Sequence, residues 1–115
     1  MNKQKFVWQL RSIAEELMPL TLSVSSSAKT WDGTKYADAD AKTADPVALV
    51  WRSVLIAVAE LVEGQDSPLT THQTEYLKRL LFGGMGSLND VSLGRPQIDE
   101  SLSKRRALLF DAFSD

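Results

Sequence analysis

Cysteine is absent from this chain of 115 residues. That single absence excludes disulfides, thiolate-ligated zinc and a thiol nucleophile. Histidine is nearly absent. His72 stands alone, and a lone imidazole with no cysteine makes a poor transition-metal site. Excess positive charge is missing too: the formal net charge is −2. A nucleic-acid binder usually carries a basic domain or stripe. The one basic cluster here, Lys104-Arg105-Arg106, lies among Asp99, Glu100 and Asp111 and reads as the solvated face of a helix. Long apolar runs are also lacking. The most apolar stretch, Pro46 to Val62, is interrupted by Arg52 and Glu60 and falls short of the ~20 residues that span a bilayer. Arg11, Glu15 and Glu16 break the N-terminal segment where a secretion signal would need an apolar run. The expectation is a cytoplasmic protein with no membrane or nucleic-acid partner.

What is present is globular. Hydrophobic residues make up 43% and charged residues 24%, unlike the apolar-poor, highly charged composition of disorder. The length suits one domain with one core.

Phe6, Leu10, Ile13, Leu17, Leu20 and Val24 follow one another in steps of four and three, the period of a helix. This predicts a first helix over about 3–24, kinked or broken near Pro19, because a proline removes a backbone donor and crowds the preceding turn. The segment 25–45 is rich in Ser, Thr, Ala, Asp and Gly, with a turn signal at Asp32-Gly33. It is read as a long loop, and loops of that length are commonly functional or disordered. Trp31 and Tyr36 within it either anchor the loop on the core or form part of a binding surface.

Asp45 as N-cap and Pro46 at the first helical position predict a second helix over 46–63. Val47, Val50, Trp51, Val54, Leu55, Val58, Leu61 and Val62 recur at helical spacing, and other apolar residues fill most of the circumference. Such a helix is expected to be covered by neighbours on nearly all sides, with Trp51 and Leu55 in the core. Gly64 fits a left-handed terminator. Ser67-Pro68 or Thr70 can start a third helix over 69–82, Thr70 with Gln73 matching a capping box, with Tyr76, Leu77, Leu80 and Leu81 on its apolar face. Arg95-Pro96 opens a fourth over 97–113, with Ile98, Leu102, Leu109 and Phe113 on one face, joined by Leu108 and Phe110. The expected fold is all-α: a small four-helix, bundle-like domain with a long loop between the first and second main helices.

The string Phe82-Gly83-Gly84-Met85-Gly86-Ser87-Leu88-Asn89-Asp90 concentrates glycine, and a glycine turn is expected over 83–96. A phosphate loop would follow a strand and carry a lysine after its last glycine. Here the glycines follow a helix, and Ser87 and Leu88 come next. The better reading is a hinge in which Gly83, Gly84 and Gly86 let the chain turn. Phe82 and Met85 would plug the core, Ser87 would cap a short helical turn, and Asn89 and Asp90 would bond nearby backbone. The alternative is a small-ligand or nucleotide site in which the amides from Gly84 to Ser87 cradle an anion beside Asp90. The string at Gly83 to Asp90 resembles the signature of a small, uncharacterised bacterial domain family that carries it between helices. The likeness covers roughly Glu75 to Leu93 and implies no activity or cofactor.

No complete catalytic or metal motif emerges. Asp38, Asp40 and Asp45 begin like a calcium loop, but Lys42, Thr43 and Leu49 fill later ligand and turn positions. Glu15-Glu16 and Asp99-Glu100 are adjacent pairs that point apart on a helix and read as solvation. The functional expectation is therefore a non-enzymatic, protein-binding domain, most concretely a bacterial immunity-type protein that occludes a toxin. Its binding candidates are Trp31, Asp32, Tyr36, Asp38 and Asp40, an acidic-aromatic set suited to a basic cleft. A homo-oligomeric structural domain is the other alternative, with Trp8 and Trp51 as natural interface residues.

Overall fold

The computed structural model describes residues 1–21 and 45–114, and the backbone of residues 30–31 and 36–37. Among the described residues four helices make up the frame, α1 (Lys3–Thr21), α2 (Pro46–Gly64), α3 (Thr71–Phe82) and α4 (Pro96–Asp111), with a 3₁₀ turn at Leu88–Asp90. The all-α, four-helix reading holds. Within the long connection from α1 to α2, Thr30–Trp31 pairs antiparallel with Tyr36–Ala37 over two residues each.

The first helix is the organising element, packed against α2 and α4. Its stripe of Phe6, Leu10, Ile13 and Leu17 is fully buried, and each such side chain contributes roughly 1.5–3 kcal/mol of transfer free energy. Pro19 does not end the helix; it stands in the last turn, and Leu20 beyond it is still buried. A proline there removes only one of the final helical bonds. Thr21 compensates locally, its hydroxyl donating to the Met18 carbonyl at 2.7 Å. Residues 22–24 of the predicted helix lie outside the described residues. The Leu20 carbonyl accepts a hydrogen bond from the Asp45 amide at 2.8 Å, so the long connection leaves and returns at one point.

The start of α2 follows the sequence. Asp45 accepts from the Val47 and Ala48 amides at 2.9 and 3.2 Å, and Pro46 opens the helix. Its end differs. Gly64 is the last helical residue and has no positive φ; the cap is Gln65 in extended conformation. The Lys3 ammonium reaches the Gln65 and Ser67 carbonyls and ties this linker to the start of α1. The Thr70–Gln73 capping box forms, with bonds of 3.1 and 2.9 Å, and the Gln65 and Gln73 amides exchange hydrogen bonds across the linker.

Rings join three helices at one end of the core. Phe6 of α1 meets Phe113 just past α4 edge-on at 5.0 Å, and Phe82 of α3 meets Phe110 and Phe113 at 5.2 and 6.1 Å. The Lys78 ammonium lies about 6 Å over the Phe110 and Phe113 rings.

Candidate functional site

Two regions emerge from this frame. The first is the glycine turn between α3 and α4. Gly83 ends α3 with ordinary negative φ, its amide donating to the Arg79 carbonyl at 2.9 Å. A Cβ there would collide with that same carbonyl oxygen. Gly84 and Gly86 take positive φ, 107° and 80°, a region that L side chains enter at a cost of about 1–2 kcal/mol. This is the geometry of a reversing hinge. Leu88 then drops fully into the core.

Several expectations for this turn need correction. Met85 does not plug the core; at the tip between Gly84 and Gly86 it is 96% exposed. Phe82 alone does that work. Ser87 occupies the N-cap position of the 3₁₀ turn, but its hydroxyl donates backwards to the Gly84 carbonyl at 2.6 Å and caps nothing. Asn89 is exposed. Asp90 accepts from the Gly86 amide at 3.4 Å, and the Ser87 amide donates to Gly84. Two of the four amides that an anion cradle would use therefore already have partners.

The turn is held by residues that sequence reasoning took for solvated charges. Arg106, part of the basic cluster, donates to the Leu88 and Val91 carbonyls at 2.9 and 3.0 Å. Burial pulls its pKa down, while the Asp99 charge opposes that shift. Asp99 accepts from the Leu93 amide at 2.8 Å and the Ser92 hydroxyl at 3.2 Å. The Leu93 bond first, with help from Ser92 and nearby amides, holds its carboxyl below the ordinary carboxylate value against a smaller desolvation effect. Arg105 reaches Glu16 of α1 at 3.3 Å, an ion-pair distance without hydrogen-bond alignment. Only Lys104 behaves as expected, pairing with Glu100 in solvent. The signal that could have separated these residues is position: Asp99 stands four residues after Arg95, in the first turn of α4, where a carboxylate meets free amides.

The second region is the outer side of α2 and its groove with α3. The expectation that α2 is covered nearly all round fails. Ala48, Leu55, Val58, Ala59 and Val62 are buried, but Val47, Leu49, Val50 and Leu61 are exposed and Trp51 is only partly buried. A four-helix frame in which α2 packs chiefly on α1 leaves its far side open. Tyr76, expected on the inner face of α3, is 64% exposed, and Leu108 and Phe110 of α4 are also outside. Between α2 and α3 lies an open groove of about 570 Å³, with Leu61 and Tyr76 among its lining residues and His72 at its polar start. Trp8 of α1 is 62% exposed on another face.

Trp31, Asp32, Tyr36, Asp38 and Asp40 lie outside the described residues, apart from the paired backbone of Trp31 and Tyr36. Among the described residues, no group of three or more His, Asp or Glu is placed to hold a metal ion, and no helix is long and apolar enough to cross a membrane. Comparison with family models, with curated proteins and with solved structures finds no match.

Proposed function

We propose that this chain is a non-enzymatic, protein-binding domain whose docking surface is the open side of α2 with the adjoining α2–α3 groove. One observation carries the reading: Leu61, 75% exposed, and Tyr76 line one apolar groove, and Val47 and Val50, about three to four turns earlier on the same helix, are exposed as well. Exposed apolar surface of this kind is unfavourable in water and marks interaction sites. An aromatic ring at its edge suits an interface anchor. The most concrete form is an immunity-type protein that occludes a toxin. Support for that form comes from sequence, through the acids Asp32, Asp38 and Asp40 beside Trp31 and Tyr36. The ligand alternative at the glycine turn is weakened by the Asp90 carboxylate, which already occupies the Gly86 amide.

The test is affinity capture from the source cells with wild type, Leu61→Glu and Trp8→Ala as baits. Captured proteins that Leu61→Glu loses and Trp8→Ala keeps support the reading. A partner bound equally by all three would place the docking surface elsewhere.

A further inference from the structure

The exposed side of α2 has an order that its burial pattern alone does not require. Val47, Val50, Val54, Ala57, Leu61 and Gly64 alternate in steps of three and four. That is the spacing of a coiled-coil seam. All six are exposed except Val54, which is partly buried, and no charged residue interrupts the row. The opposite face of the helix is the one buried in the domain, through Ala48, Leu55, Ala59 and Val62.

We propose that this seam takes a second copy of the same chain, laid antiparallel across a two-fold axis near Leu55 and Ile56; this rests on the reading of the α2 surface as a protein-binding face. A two-fold interface must be self-complementary, and the seam satisfies that in one register. Val47 faces the second copy's Gly64, Val50 faces Leu61, and Val54 faces Ala57. In the end layers, Val47–Gly64, and in those flanking the axis, Val54–Ala57, a branched side chain meets a small residue, so the helices approach closely at each end and beside the axis. The bulkier Val50–Leu61 layers fill the space between.

The flanking residues are compatible with this orientation. Glu60 flanks the seam, as does Ser53 one heptad earlier. The antiparallel register sets each Glu60 beside the other copy's Ser53. In a parallel pair the two Glu60 side chains would lie on opposite flanks of the seam, so the orientation rests on the layer pairing rather than on charge. Antiparallel helices also place opposite dipole ends together. Tyr76, in the groove beside Leu61, faces the end of the second copy that carries Val47 and Val50.

The seam runs over seventeen helical steps, about 26 Å at 1.5 Å per residue. With the groove rim this is at the low end of specific interfaces, near ~1,200 Å² in total. The expected dimer is therefore weak, with a dissociation constant on the order of 10–100 μM.

Two measurements test it. Light scattering across a series from about 1 μM to about 1 mM should show the mass rising from monomer to dimer in wild type. Leu61→Glu should raise the dissociation constant at least about tenfold, with an unchanged circular dichroism spectrum because Leu61 is a surface residue. The chain has no native cysteine, so engineered ones report cleanly. Under mild oxidation, a mixture of Val47→Cys and Gly64→Cys chains should form the mixed 47–64 disulfide. Val47→Cys alone should stay uncrosslinked, its two copies lying about 26 Å apart along the seam. Efficient 47–47 crosslinks would overturn the antiparallel arrangement. Wild type that stays monomeric throughout the series overturns self-association, and it leaves the protein-binding reading intact if capture still depends on Leu61.

Discussion

The Arg106 guanidinium donates to the Leu88 carbonyl at 2.9 Å, across eighteen residues of sequence. The same nitrogen reaches Val91. One side chain of α4 thus fixes the exit of the glycine turn. Arg106→Ala is expected to cost about 1.5–3 kcal/mol, the range for hydrogen bonds to a charged group. Lys104→Ala, two residues earlier and exposed, should stay within about 0.5 kcal/mol. Urea denaturation of the pair checks this, and equal stabilities would show that Arg106 holds nothing.

Asp99 gives the turn a pH dependence. Its folded pKa is lowered, chiefly by the Leu93 amide. A lowered pKa stabilises the fold above the ordinary carboxylate value, and that contribution is lost as pH falls through the folded value. Asp99→Asn should therefore melt below wild type at neutral pH, and the gap should close in the acid range below the ordinary value of 3.8. A gap that is constant from neutral to acid pH would contradict the assignment.

The glycines separate by backbone conformation. Gly84→Ala and Gly86→Ala should each cost about 1–2 kcal/mol through positive φ alone, since open space surrounds both. Gly64→Ala should instead stabilise by about 0.5–1 kcal/mol, because its φ is ordinary and a Cβ there meets nothing. Thermal melts of the three variants read the signs directly.

Gln9 is buried in α1, and its side-chain oxygen has no hydrogen-bond partner among the described residues. An unsatisfied buried carbonyl costs about 1–3 kcal/mol. Gln9→Leu should raise stability by about 1 kcal/mol or more, read as a higher urea midpoint at unchanged slope. A lower midpoint would show that the amide is satisfied in solution.

Leu55 is fully buried and Trp51 is not. Leu55→Ala should cost about 2–5 kcal/mol, and Trp51→Ala less than the 3–5 kcal/mol of a buried aromatic. A larger loss at Trp51 than at Leu55 would reverse the burial order.

Local signals were the legible ones. Asp45 with Pro46 and Thr70 with Gln73 act within four residues, so both caps are legible in the sequence, and the structure decides for Thr70 over Ser67-Pro68 as the start of α3. The α1 stripe was readable because one buried face imposes one period. The α2 pattern misled because periodicity counts apolar positions and says nothing of how many neighbours stand ready to cover them. Val50 and Leu55 look alike in sequence, and only the placement of α1 tells them apart. Asp99 and Arg106 were misread for the same reason: their partners are backbone atoms six to eighteen residues away, brought close by the turn itself. Nothing in composition marks a charge that serves a distant carbonyl.

The bond between the Leu20 carbonyl and the Asp45 amide has a consequence for chain length. It clamps both ends of the segment between α1 and α2 at a single neck, so the helical frame does not register how much chain lies beyond. Doubling the length of such an excursion adds only about 0.6 kcal/mol of closure entropy. A change in the length of that excursion is therefore expected to leave the alignment of α1 and α2 nearly unchanged in free energy. The neck makes the connection over residues 22–44 the place where a change in chain length costs the helical frame least.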